Sequence, residues 1–163
     1  INHDNPGGYI TTADEFRFTD GSPELFKKLS GIFGRIVVVT NQRGVGRGII
    51  QYDDLMAMNT KMLQGIQEAG GTIEKIYFCT DTDNRSFGRK PNPGMAVQAI
   101  KDFPDIDVNK SVIVGNSLSD MKFGRYAGMY TVFATTTNKA VSLPHPDINL
   151  IFEDLSSFAA SLK

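Results

Sequence analysis

The chain has 163 residues, 40% of them hydrophobic and 21% charged, with a formal net charge of -1. That is the size and make-up of one globular domain able to bury a core, and the even charge balance leaves out a nucleic-acid-binding patch or an acidic tail. The longest apolar runs, residues 36–39 and 76–79, are far too short to span a membrane, and the single Cys79 excludes an internal disulfide and a multi-cysteine zinc site.

Residues 1–21 are polar and turn-rich, with Asn5-Pro6-Gly7-Gly8 as a loop signal. Ser22 suits a helix N-cap and Pro23 the first helical position. Leu25, Phe26, Leu29, Ile32 and Phe33 then recur at helical spacing, and Gly34 ends the helix. The β-branched run at 35–40 (RIVVVT) predicts a strand buried on both faces. Gly44, Gly46 and Gly48 predict a flexible loop. A helix is predicted over 53–69, with Leu55, Met58, Met62, Ile66 and Ala69 on one face and Gly70-Gly71 as its stop. A strand over 73–80, a polar loop over 81–92 and a short helix over 93–103 follow. The pattern then gives a strand at 111–114, a helix at 120–127 and a strand at 130–135. Residues 150–152 are a candidate fifth strand before a closing helix. No charged-then-apolar signal segment opens the chain, and a reducing cytoplasm is the expected location.

Helix and strand alternate throughout. That order demands right-handed crossovers and a parallel sheet covered on both faces, a three-layer α/β/α, Rossmann-like domain. Ligands of such sheets bind at the carboxyl ends of the strands, and three strand ends are unusual. Thr40-Asn41-Gln42-Arg43-Gly44-Val45-Gly46-Arg47 runs from a strand into a hydroxyl, an amide and a glycine turn with two arginines. A hydroxyl and exposed backbone N–H groups can hold phosphate oxygens, and arginine adds bidentate capacity for anions; the plain alternative is a glycine turn with solvated arginines. Arg89-Lys90-Pro91-Asn92-Pro93 sets two cations before a proline turn. A rigidly held lysine can neutralise a developing phosphate charge, and as a strand-end cation that adds little to the core it should be replaceable without loss of the fold; the alternative is a surface lysine beside a turn. Gly115-Asn116-Ser117-Leu118-Ser119-Asp120 follows a β run with oxygen donors that suit Mg²⁺; alternatively Ser119 or Asp120 is a helix cap.

Taken together and in this order, the three segments resemble motifs II, III and IV of the haloacid-dehalogenase (HAD) superfamily of phosphohydrolases. Thr40-Asn41-Gln42 with its glycine-arginine loop, Arg89-Lys90-Pro91-Asn92-Pro93-Gly94-Met95, and the opening Ile1-Asn2 with Gly8-Tyr9-Ile10 are similar to one subgroup, the D,D-heptose 1,7-bisphosphate and histidinol-phosphate phosphatases. The resemblance implies a strand-end aspartate that attacks phosphorus to give an aspartyl-phosphate, with a second aspartate as acid and base and Mg²⁺ as cofactor. Carried over, Thr40 would bond the phosphoryl oxygens and Lys90 would balance their charge. Asn116, with Asp120 behind it, would serve the metal. Asn41, Arg43, Arg47 and Arg89 would face the substrate.

Three departures from the pattern stand out. The Asp-x-Asp-Gly motif, which in relatives sits immediately before the segment matching Ile1-Asn2, is not in this sequence; its expected place is upstream of Ile1, so residues 1–163 would be a single phosphohydrolase domain lacking its first strand. Asp81-Thr82-Asp83 mimics it but follows motif II and lacks the glycine, which suits a substrate-side loop. Asn116 stands where aspartate is usual. Some relatives also carry a Cys/His zinc loop before the Arg-Lys-Pro turn, and here only Cys79 remains, so no zinc is expected. The resulting expectation is a Mg²⁺-dependent phosphatase without a large cap domain, monomeric or homodimeric, acting on a small phosphorylated metabolite such as a heptose bisphosphate. Histidinol phosphate as substrate, and a degenerate domain that binds a phosphorylated ligand without turnover, are the alternatives.

Overall fold

A computed structural model of the chain describes residues 1–3, 5 and 8–163; the Pro6-Gly7 part of the expected opening loop lies outside them. The chain forms two compact units, Ile1–Thr82 and Asp83–Lys163. Both are built from parallel strands joined through helices, the α/β class that the alternation predicts.

In the first unit, an antiparallel bridge joins Asn2 to Phe18 before helix α1 (Ser22–Ile32). The cap of α1 is Gly21, one residue ahead of the expected Ser22. Its φ of 69° makes the turn that glycine adopts without penalty, while Ser22 is buried as the first helical residue and offers no capping hydrogen bond. Strand β1 (Val37–Asn41), the short α2 (Arg43–Gly46), α3 (Tyr52–Glu68) and β2 (Lys75–Cys79) follow. Parallel pairing of β1 with β2 sets Val37 opposite Lys75 and Asn41 opposite Cys79. Every residue of β1 is half-buried, where the sequence predicts burial on both faces. Among the described residues its sheet partner is β2, and so narrow a sheet leaves its strands partly accessible. Helix α3 buries Leu55, Met58, Met62 and Ile66 as its spacing predicts, and also Asn59. It packs against α1 and ends at Gly70, with φ of 86°. Full burial of a side chain such as Ile66 contributes about 1.5–3 kcal/mol.

In the second unit, α4 (Gly94–Asp102) leads through a turn of 3₁₀ helix to β3 (Val112–Gly115). Then come α5 (Leu118–Ala127), β4 (Tyr130–Ala134), β5 (Leu150–Phe152) and α6 (Leu155–Ser161). The strands lie in the order β3-β4-β5, all parallel. Helix α5 covers β3 and β4 at close range, because a Cβ at Gly124 would lie 2.5 Å from Ile113 Cγ2. Met121 of α5, Phe133 of β4 and Ile148 form a buried cluster that holds this face together. Among the described residues no helix is long and apolar enough to cross a membrane.

Candidate active site

In the first unit the candidate residues lie at the exit of β1. Thr40 and Asn41 are its last two residues, opposite Phe78 and Cys79 of β2. Gln42 turns the chain at once: its N–H donates to the Cys79 carbonyl at 2.7 Å, and its side-chain amide donates to Thr40 Oγ1 at 3.2 Å. The glycine-rich segment is one helical turn, not a flexible loop. Its N–H groups are used internally, Val45 N on Gln42 O, Arg47 N on Arg43 O, Gly48 N on Val45 O and Ile49 N on Gly44 O, at 2.9–3.2 Å. These N–H groups are therefore not open to an anion. The glycines instead permit close approach. A Cβ at Gly46 would lie 1.9 Å from the Thr80 carbonyl oxygen, and one at Gly44 would lie 2.7 Å from Ile50 Cδ1. Arg43 Nη2 donates to Thr82 O at 3.3 Å, and Arg47 is exposed at the end of the turn.

In the second unit the candidate residues lie at the turn before α4 and at the exit of β3. Lys90 Nζ donates to Asp120 Oδ1 at 2.6 Å, with the two side chains only 11% and 10% exposed. Lys90 has left water to pair with a carboxylate, so it is bound into the structure more firmly than the strand-end cation adding little to the core that the sequence suggests. The other oxygen, Asp120 Oδ2, accepts from Ser117 N–H at 3.1 Å and Ser117 Oγ at 2.8 Å, while Ser117 Oγ accepts from Asp120 N at 3.2 Å. Ser117 is thus the cap of α5, and Asp120 its capping-box partner. The sequence reading placed a cap at Ser119 or Asp120 and overlooked Ser117; the Ser-x-x-Asp spacing carries that signal. Arg89 is buried, at 9% exposure, and its Nε donates to Asn84 Oδ1 at 3.2 Å. In the Asp81-Thr82-Asp83 segment, Asp83 is exposed and salt-bridged to Arg85 at 3.0 Å. Hydrogen bonds from Arg85 hold its carboxyl below the usual carboxylate range.

Mg²⁺ takes hard oxygen ligands, and the donor set can be tested against that need. Asn116 is exposed immediately beyond β3, its backbone carbonyl accepting from Thr137 Oγ1 at 3.1 Å. Both carboxylate oxygens of Asp120 are already engaged, one by Lys90 and one by Ser117. The exposed amide of Asn116 fits such a ligand, while Asp120, the other expected metal residue, is held behind it by Lys90 and Ser117. Among the described residues no three His, Cys, Asp or Glu side chains group as a metal cluster.

A family model described as HAD-hydrolase-like matches residues 87–157, which include the lysine turn and the exit of β3. The fold is also that of a solved structure, D,D-heptose 1,7-bisphosphate phosphatase from B. bronchiseptica complexed with magnesium and phosphate. The TM-score is 0.85 over 98% of this chain and 90% of that one, at 27% identity. Together with parallel strands, a threonine next to the end of β1 and an ion-paired lysine turn, these likenesses make the chain a HAD-type hydrolase. D-glycero-beta-D-manno-heptose-1,7-bisphosphate 7-phosphatase of Pasteurella multocida is 33% identical over 142 residues, 83% of this chain and 77% of the relative. D-glycero-alpha-D-manno-heptose-1,7-bisphosphate 7-phosphatase of Burkholderia mallei is 36% identical over 139 residues, 80% of this chain and 72% of the relative. The chain belongs to the D-glycero-D-manno-heptose-1,7-bisphosphate 7-phosphatase family of the HAD superfamily.

Proposed function

We propose that this protein is a Mg²⁺-dependent phosphatase that removes one phosphate from a sugar bisphosphate, D,D-heptose 1,7-bisphosphate being the substrate its residues suit best. The observation that carries the reading is the buried Lys90–Asp120 pair at 2.6 Å. A lysine fixed in place by a carboxylate and a capped helix is a preorganised charge, stabilising a phosphoryl group without reorganisation as the reaction proceeds. The names of the relatives point to the same chemistry.

In this reading Thr40 hydrogen-bonds the phosphoryl oxygens and Lys90 offsets their charge. Asp120 holds Lys90, and Asn41 contacts the substrate. Arg43, Arg47 and Arg89 receive the second anionic group, which a bisphosphate carries and histidinol phosphate lacks. Mg²⁺, when bound, supplies further charge neutralisation at the phosphate, and Asn116 is the residue that would hold it. The resemblance implies an aspartate nucleophile that forms an aspartyl-phosphate. A zinc-free, cytoplasmic, monomeric or homodimeric enzyme completes the proposal, the zinc-free part resting on Cys79 being the only cysteine. One observation favours a second reading: Asn116 brings less charge to a metal than aspartate, as a domain that binds without turnover would tolerate.

A phosphate-release panel on the full-length protein tests both. Heptose 1,7-bisphosphate, histidinol phosphate and simple sugar monophosphates are compared with Mg²⁺ and with EDTA. Release is expected from the bisphosphate above all and is abolished by EDTA. Release that ignores EDTA, or that prefers monophosphates, refutes the assignment. Binding of the bisphosphate without release from any compound establishes the binder instead.

A further inference from the structure

The segment between Asp83 and Gly94 has no regular secondary structure, yet side-chain amides lace it together. Asn92 Nδ2 donates to two carbonyls, Ser86 O at 2.8 Å and Asn84 O at 3.2 Å. Asn84 in turn presents Oδ1 to Arg89 Nε at 3.2 Å. Backbone bonds close the same ring: Arg89 N on Ser86 O, Asn92 N on Arg89 O and Gly94 N on Phe87 O, at 2.9–3.1 Å. The fit at its end is close, since a Cβ at Gly94 would lie 2.4 Å from Phe87 O. Asn92 therefore fixes the backbone of Asn84, and the side chain of Asn84 fixes the plane of a guanidinium that is nine-tenths buried.

The orientation of that plane matters chemically. Arginine recognises phosphate through a planar fork, and its bidentate geometry is lost when the plane rotates. An arginine on an unbraced loop would spend rotamer entropy on each binding event; one locked by its Nε does not. We propose that Asn84 and Asn92 are positioning residues that, by setting the Arg89 guanidinium, determine the preference for a substrate with a second anionic group. The proposal rests on the bisphosphate reading above and adds the residues that set its selectivity. They act through Arg89, and neither is required to touch the substrate.

The test compares D,D-heptose 1,7-bisphosphate with the 7-monophosphate in the full-length protein, by calorimetric binding and by steady-state phosphate release. Asn84→Ala and Asn92→Ala are expected to weaken bisphosphate binding and raise its KM by about tenfold, the loss of one hydrogen bond to a charged group. Binding and kcat for the monophosphate should stay within about twofold, because Lys90 keeps its carboxylate. Asn84→Asp preserves the acceptor for Nε and should retain the bisphosphate preference, which a role in loop stability alone would not predict. Equal losses for both compounds, no loss in Asn84→Ala, or a loss in Asn84→Asp as large as in Asn84→Ala each overturn the proposal. Should the unsubstituted protein release no phosphate, the enzymatic reading fails, while the binding measurements still decide the role of the two asparagines.

Discussion

Lys90 and Asp120 have each given up nearly all contact with water to meet at 2.6 Å. Removing one member of such a pair leaves the other as a buried charge, a loss of about 3–5 kcal/mol where nothing else compensates. Here Ser117 still donates twice to Asp120, so the lower end of that range applies. Lys90→Met should therefore lower turnover by about two orders of magnitude or more and unfolding free energy by about 3 kcal/mol, read by phosphate release and urea melts. Adding Asp120→Asn should recover part of the stability and none of the turnover. Near-normal turnover in Lys90→Met would take the lysine out of the chemistry. Asn116 poses the opposite case, an exposed amide at a strand exit. Asn116→Asp adds one charge to the proposed ligand, and Mg²⁺ affinity measured by titration calorimetry should rise by about tenfold. Unchanged affinity would mean that Asn116 does not bind the metal.

At the scale of elements, both α5 and α6 begin on side-chain caps, and the two caps do different work. That of α5 shares its carboxylate with Lys90 and so joins helix start to the candidate site. That of α6 is purely local: Asp154 Oδ1 accepts from Ser157 N and Ser157 Oγ, both at 2.7 Å. The backbone hydrogen bond, then the hydroxyl, holds the Asp154 carboxyl below its usual range. A carboxyl depressed in the folded state stabilises fully above its unfolded value, near pH ~4, and that contribution fades as pH falls through the lower folded value. Asp154→Ala should thus destabilise by about 1 kcal/mol at neutral pH, with the gap from the parent closing in acid. Denaturant melts at several pH values measure this, and a pH-independent gap would rule out the ionised cap. The Arg43–Gly46 turn shows the limit of composition as a guide. Three glycines in five residues predict flexibility, whereas Gly44 and Gly46 face neighbouring atoms too close for a side chain.

Across the whole molecule, what the sequence determined by itself is what local periodicity carries. Alternating helix and strand patterns forced parallel pairing, and among the described residues all five strands are parallel to their partners. The faces of α3 and the Gly70 stop followed from spacing and from glycine's freedom at positive φ. The polar strand ends and the Arg-Lys-Pro turn were visible too, because unusual residue types at strand exits need no distant partner to be noticed. Tertiary structure decided the pairings. That Lys90 meets a carboxylate thirty positions later, that Asn84 and Asn92 brace Arg89, and that the β1 strand is half-buried depend on where the chain returns after its turns. Hydrophobic period encodes which face of an element is covered, but no local pattern states which polar atom arrives from elsewhere to satisfy a buried charge. That choice is made when desolvation in the folded chain leaves each polar group only the partners within reach.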